Sequence, residues 1–91
     1  MTARHDVYYA LDSERTYQET RWNSQTTTSG GLHSLEEWVV YIDNYLQEAK
    51  AHLTRNEKKI GDPLALATIR KITAMGVACM EQHGAPHREG F

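Results

Sequence analysis

The chain has 91 residues, of which 40% are hydrophobic and 24% are charged, and its formal net charge is -2. A chain of this length forms one domain with a thin core, because small domains bury a smaller share of their surface. The slightly acidic balance excludes a global basic field, so we expect no nucleic acid partner. The single cysteine, Cys79, excludes an internal disulfide and agrees with a reducing compartment.

The sequence contains no long apolar run of the kind that forms a membrane segment. No uninterrupted apolar run approaches the roughly 20 residues that span a bilayer. Residues 1–6 lack the apolar stretch of a signal peptide. We therefore expect a cytoplasmic protein without a membrane partner.

The first predicted helix covers about residues 5–22. Its apolar residues recur at irregular helical steps and form a broken stripe of Val7, Ala10 or Leu11, Tyr17 and Trp22. Residues 23–33 are polar and roughly twice as long as the median connection, so we predict a flexible loop. The hydroxyls and two glycines of this loop suit either a ligand-binding loop or a surface connection.

The second predicted helix covers about residues 34–55 and begins at a capping box. The Ser34 hydroxyl can accept a hydrogen bond from an early helical amide, while the Glu37 carboxylate accepts one from the Ser34 amide. Apolar residues then recur every three or four positions and share one side of the helix: Leu35, Trp38, Val39, Ile42, Tyr45 or Leu46, Ala49 and Leu53.

The third predicted helix covers about residues 63–83. Asp62 followed by Pro63 is typical of a helix start, and Gly84 followed by Pro86 is typical of a helix end. Residues 84–91 then form a tail.

This third helix is apolar on almost every side of its middle turns. Two neighbouring helices of one subunit cover only part of such a helix, so a second copy of the chain is its simplest cover. We therefore predict an all-α, single-domain protein: a three-helix, hairpin-type bundle completed by homo-oligomerisation, with the third helix near the symmetry axis. The alternative is a tight three-helix monomer in which Ala67, Ala74 and Ala78 face solvent.

Three segments of the chain carry a resemblance to a known family. They are residues 13–22 (SERTYQETRW), 37–49 (EWVVYIDNYLQEA) and 69–81 (IRKITAMGVACME). In this order they resemble small phage-encoded relatives of the MazG-like all-α nucleotide pyrophosphohydrolases. The resemblance implies a helix with closely spaced glutamates and a following helix with a Glu-x-x-Asp pair. In that family these acids bind magnesium and hydrolyse a nucleoside triphosphate to the monophosphate.

The acidic motifs of that family are degenerate in this sequence. Glu48 matches the last glutamate of the first motif, but Asn44 and Tyr45 stand where other acids are expected. Thr68 and Lys71 occupy the positions of the second pair. Because a divalent cation needs the lost carboxylates, the resemblance implies the fold and a catalytically inactive copy, with no metal ligands and no cofactor.

The candidate ligand-binding residues follow from charge and aromatic content. Lys71 can pair with phosphate, and further cations cluster near it at Arg55, Lys58, Lys59 and Arg70. Aromatic faces that can stack a base are supplied by Tyr8, Tyr9, Tyr17, Trp22 and Trp38, although cations on a solvated edge and aromatics in a core would give the same pattern. The predicted set is Trp22, Tyr45, Glu48, Arg55, Arg70, Lys71 and Arg88, the last from a tail that could reach a neighbouring subunit.

Three functional hypotheses remain open. The first is a non-enzymatic binder of a nucleotide or nucleotide-derived signal, which in a phage protein would counter host defence. The second is an inhibitor or adaptor that binds a host protein. The third is a pyrophosphohydrolase that depends on Glu48 and Mg²⁺. A zinc site at Cys79, His83 and His87 lacks an evident fourth ligand.

Overall fold

The computed structural model describes residues 2–27, 29–55 and 58–90, and this part of the chain is all-α with no strand. Its elements are α1 (Ala3–Arg21), α2 (Leu35–Arg55), α3 (Lys58–His83) and a 3-10 turn at Arg88–Gly90. The predicted fold class and the order of the three helices are confirmed.

Helix α3 is the central element of the chain. Both α1 and α2 pack against α3, whereas within the described ranges α1 and α2 do not pack against each other. The two outer helices therefore both pack on α3, and a gap remains between them.

The α2 and α3 interface is apolar. Trp38 of α2 is buried with Met75 and Ala78 of α3, and Ile42, Tyr45 and Cys79 pack around this cluster. The predicted stripe on α2 is confirmed on the side that meets α3. Its other side stays exposed, at Leu35, Val39, Leu46 and Leu53. Ala74 and Ala78 are buried within the single chain, so the expectation that a monomer would leave these two residues facing solvent is wrong.

The α1 and α3 interface is largely polar, and the predicted stripe on α1 is wrong at Val7, Ala10 and Tyr17, which are exposed, whereas Leu11 and Trp22 are half-buried. Val7 and Tyr17 are 56% and 53% exposed, while Glu14 and Gln18 are buried. Two ion pairs and one hydrogen bond join the helices: Arg70 Nε to Glu14 Oε1 at 2.8 Å, Arg15 Nε to Glu81 Oε2 at 2.6 Å, and Gln18 Nε2 to the Lys71 carbonyl at 3.2 Å. Because α3 presents charged residues on this side, α1 docks through its polar face.

Two predicted helix boundaries, the start of α2 and the end of α3, are visible in the hydrogen bonds of the backbone. The Ser34 amide donates to Glu37 Oε1 at 2.9 Å, and the Glu37 amide donates to Ser34 Oγ at 3.1 Å, so the capping box is confirmed. Gly84 has φ of 109° and its amide donates to the Met80 carbonyl at 2.8 Å, which confirms the stop after α3.

The predicted start of the third helix is wrong. Helix α3 begins at Lys58, and Pro63 lies inside it rather than at its first position. A proline in the second turn removes one intrahelical hydrogen bond, and the helix continues through it at that cost. The first helix also begins earlier than expected, at Ala3, because the Thr2 hydroxyl caps it by accepting from the His5 amide at 3.1 Å.

Residues Asp62–His83 of α3 are long and apolar enough to cross a membrane, judged by length and composition alone. The expectation that no apolar run approaches this length therefore holds for an uninterrupted run but not for the mean hydropathy of the helix. Arg70 and Lys71 interrupt the continuous apolar run, yet the helix as a whole remains apolar. A mostly buried core helix of a soluble protein passes the same test, whereas only 28% of the apolar window in α3 is buried within the single chain, although α1 and α2 both pack against α3.

The described part of the connection between α1 and α2 is held in turns by its own hydrogen bonds. The Thr27 amide donates to the Asn23 carbonyl at 3.0 Å, and the Gly31 amide donates to Thr27 Oγ1 at 3.0 Å. Gly31 has φ of 80°, and a Cβ there would lie 2.4 Å from the Trp22 carbonyl oxygen. Only glycine fits where the chain returns this closely to the end of α1.

We expect Gly31→Ala to lower the free energy of unfolding by about 1–3 kcal/mol, because it combines a left-handed backbone with a backbone clash. Urea denaturation followed by tryptophan fluorescence would measure the loss. Ser29→Ala, in the same exposed connection, is the control and should change stability by less than about 0.5 kcal/mol. Equal effects of the two substitutions would contradict the close approach at Gly31.

The capping box should give stability a specific dependence on pH. Hydrogen bonds from the Ser34 amide and hydroxyl hold the pKa of the Glu37 carboxyl below its ordinary value. The stabilisation is therefore present above the unfolded-state pKa of about 4.3 and is lost as pH falls through the lower folded pKa. In Glu37→Gln, the free energy of unfolding measured by urea denaturation should depend less on pH between about pH 5 and pH 2. Glu36→Gln removes a charge from the same turn and should leave this pH dependence unchanged.

Candidate ligand-binding groove

A groove lies between α1 and α2 with α3 as its floor. Three pockets follow one another along it and share lining residues: Trp22 and Tyr45 line the first and second, and Lys71 lines the second and third. We call them the aromatic, central and outer pockets. Their volumes are about 350, 110 and 670 Å³.

The aromatic pocket is walled by rings from α2, from His33 of the loop and from Trp22, which follows the end of α1. The His33 ring lies 5.0 Å from both the Trp38 and the Tyr41 ring centroids, edge-on to each. The lining residues are Trp22, Thr27, Ser29, His33, Trp38, Tyr41, Tyr45 and Met75. A largely apolar pocket of this volume with a few polar groups suits a planar small molecule.

The central pocket combines rings with cations. The Lys71 ammonium lies 4.8 Å from the Tyr45 ring centroid, and the Arg21 guanidinium lies 5.8 Å from that of Tyr17. Arg21 also donates to the Tyr17 hydroxyl at 3.0 Å. No carboxylate of the described residues forms an ion pair with Lys71. The Lys71 ammonium therefore lies at the groove beside the Tyr45 ring, and the Glu14 carboxylate that lines the same pocket is paired with Arg70.

Gln18 lines the central pocket and carries a buried amide oxygen. This side chain is 2% exposed, and its Nε2 donates to the Lys71 carbonyl, which fixes the orientation of the amide. Its Oε1 is buried and accepts no hydrogen bond from the described part of the chain. A buried acceptor without a donor costs about 1–3 kcal/mol, so a ligand N–H or O–H that reaches it is favoured.

The outer pocket is open and carries a positive balance. It is lined by Tyr9, Ala10, Ser13, Glu14, Tyr17, Arg70 and Lys71. Glu14 is already paired with Arg70, so Lys71 is left as the charge without a carboxylate partner. With Arg21 at the neighbouring central pocket, this end of the groove favours anions.

Gln82, near the end of α3, binds the part of the loop that borders the groove. Its Oε1 accepts from the Trp38 indole N–H at 3.0 Å and from the His33 amide at 3.1 Å. Its Nε2 donates to the Gly31 carbonyl at 2.9 Å. One side chain thus joins the loop, the first turn of α2 and the last turn of α3.

The predicted ligand-binding residues are brought together only in part. Trp22, Tyr45 and Lys71 come from three different parts of the fold and meet at the central pocket, and Arg70 borders the outer pocket. Glu48 lies 3.7 Å from His52 and lines none of the three pockets. Arg88 is exposed in the 3-10 turn, and the side chain of Arg55, like those of Lys58 and Lys59, lies outside the described part of the structure.

The positions that correspond to the acidic motifs do not form a common site. The Thr68 side chain is buried and its hydroxyl donates to the Leu64 carbonyl at 3.1 Å, whereas Lys71 points to the groove. Among the described residues, no group of three His, Cys, Asp or Glu side chains is placed to hold a metal ion. Cys79 packs on the core, and His83 Nε2 lies 2.8 Å from the His33 carbonyl.

Comparisons of the chain with protein-family models, with curated proteins and with solved structures find no match. Sequence reasoning missed His33, Tyr41 and Gln82 as groove residues. The one available signal was Trp38, because a buried indole N–H requires an acceptor.

Gln82→Leu should lower the free energy of unfolding by about 2 kcal/mol or more, because it leaves two donors and one acceptor without their partner. Amide hydrogen exchange at His33 and at the Trp38 indole should accelerate in the same variant. Gln47→Leu on the exposed side of α2 is the matched control and should stay within about 0.5 kcal/mol of the parent. Unchanged exchange at both N–H groups would show that Gln82 does not anchor the loop.

Proposed function

We propose that the protein binds a nucleotide or nucleotide-derived signalling molecule in the groove between α1 and α2, without converting it. The observation that carries this proposal is the meeting of Trp22, Tyr45 and Lys71 at one pocket. Two rings and an ammonium group held by three elements match the two parts of such a ligand, a planar base and an anionic phosphate.

The aromatic pocket is the place for the base. Ring faces and edges at Trp22, Tyr41 and Tyr45 supply stacking, which tolerates different bases because every base has a π-face. Gln18 Oε1, at the adjoining central pocket, is the acceptor for an exocyclic amino group or a sugar hydroxyl. The ligand therefore enters as a ring with a nearby hydrogen-bond donor.

The central and outer pockets are the place for the phosphate. Lys71 and Arg21 supply charge-assisted donors, and the Arg70 guanidinium lies beside them at the outer pocket. Lys71 occupies a position where the resemblance implies a metal-binding acid. In this chain the ammonium group would neutralise phosphate directly, a role that magnesium fulfils in the hydrolases.

The resemblance gives a narrower form of the same proposal. In a phage-infected cell, a protein that holds a nucleotide-derived messenger and leaves it intact would lower the concentration of that messenger and so oppose host defence. Stoichiometric capture requires the protein to accumulate to the level of its ligand. Intact ligand after release distinguishes this form from magnesium-dependent hydrolysis.

Lys71→Glu should weaken binding of a phosphate-bearing ligand by about 10-fold to 100-fold, because one charge-assisted contact is replaced by repulsion. Calorimetry and thermal shift with a panel of nucleoside triphosphates and cyclic nucleotides, with and without Mg²⁺, would measure the change. Arg4→Glu is the control: it reverses one charge at the start of α1 and lies outside the three pockets.

The same panel separates the functional hypotheses. Stabilisation followed by chromatographic recovery of intact ligand supports capture, and recovery of the monophosphate supports hydrolysis. If no nucleotide at millimolar concentration shifts the melting temperature, the groove does not bind nucleotides and the adaptor hypothesis takes its place.

A further inference from the structure

The single chain exposes more surface than a compact monomer of its size. Its accessible surface is 7139 Å², whereas a compact 10.4 kDa monomer exposes about 5,400 Å². Its radius of gyration is 14.7 Å, against about 12 Å for a compact chain of this length. The excess of about 1,700 Å² exceeds the roughly 800 Å² that each partner contributes to a standard interface.

Part of this excess is an uncharged, mostly apolar stripe on α3. Its members follow one another at steps of three, four, three and four residues: Leu66, Ile69, Thr73, Gly76 and Met80. Leu66, Ile69 and Met80 are exposed, and nothing in the chain lies within 4 Å of a Cβ placed on Gly76. Alternating steps of three and four are the spacing of a helix that packs along its length against another helix.

A second exposed stripe runs along α2 and consists of Leu35, Val39, Leu46 and Leu53. On the α2 surface, the core-facing residues Trp38 and Ala49 lie between this stripe and the groove-facing Tyr41. The stripe therefore borders α3 on the side away from the groove. The α3 stripe lies on that same side, because α3 turns Met75 and Lys71 toward the groove. We call the two stripes together the back face.

We propose that the back face binds a second copy of this chain, so that α2 and α3 of both copies form a four-helix bundle. The back-face residues named above carry no charge, and the excess surface of the whole chain is larger than one partner's share of a standard interface. A two-fold axis makes such a face self-complementary, since each copy presents the same stripes. Gly76 and Thr73 are small enough to let the helices approach closely at the centre.

This arrangement leaves the ligand groove open in both copies, because the groove and the back face lie on opposite sides of α3. The dimer would carry two independent binding sites. It also covers the side of α3 that the single chain leaves exposed, opposite the groove.

Light scattering across a protein concentration series tests the proposal with two interface variants and one control. The wild-type chain should have twice the 10.4 kDa subunit mass. Val39→Lys and Gly76→Lys should weaken dimerisation by about 100-fold or more, because each places two buried charges at the interface. Gly76→Lys meets no atom within its own chain and replaces glycine by a better helix former, so the single chain keeps its fold.

Val40→Lys is the matched control. Val40 neighbours Val39, is exposed to a similar extent (55% against 60%), and lies about 100° further around α2, away from the back face. It should leave the dimer intact. A wild-type monomer at every concentration, or dissociation by Val40→Lys to the same degree as by Val39→Lys, would overturn the proposal. A monomer that cosediments with phosphatidylcholine vesicles would assign the back face to a membrane surface instead.

Discussion

The attachment of both outer helices to α3, and not to each other, is the constraint on which the rest of the structure depends. Because α1 and α2 do not meet in the described part of the chain, a groove opens between them and α3 forms its floor. For the same reason, two helices cover only two sides of an apolar central helix. The candidate ligand site and the uncovered back face are therefore two consequences of one packing arrangement.

Local sequence signals predicted those features that depend only on residues close together in the chain. The capping box at Ser34 and Glu37 and the glycine stop at Gly84 both involve residues within four positions of each other. The start at Pro63 failed because propensity is a weak prior that a continuing helix overrides. The predicted burial of the apolar stripe on α1 was wrong, because Arg70 and Glu81 pair with Glu14 and Arg15 and so determine which face of α1 is buried. These partners lie more than 50 positions away in the sequence.

The candidate site was predicted as separate residue types, and the fold decides which of them meet. Trp22, Tyr45 and Lys71 converge because they lie at the facing sides of three elements, a relation that no short spacing encodes. Glu48 was chosen from a motif and lies outside the pockets. Gln82 could not be predicted, since an isolated glutamine gives no pattern until the fold brings the Trp38 indole to it.

The polar docking of α1 also bears on the order in which the chain assembles. Helices α2 and α3 are neighbours in sequence and share an apolar interface, so their pairing requires little loop closure. The ion pairs of α1 join residues 56 and 66 positions apart, and water and salt compete for them. Helix α1 should thus be the last element to dock and the first to detach, and each excursion would open the groove along its whole length. Ligand entry and the local unfolding of one helix would then be the same motion.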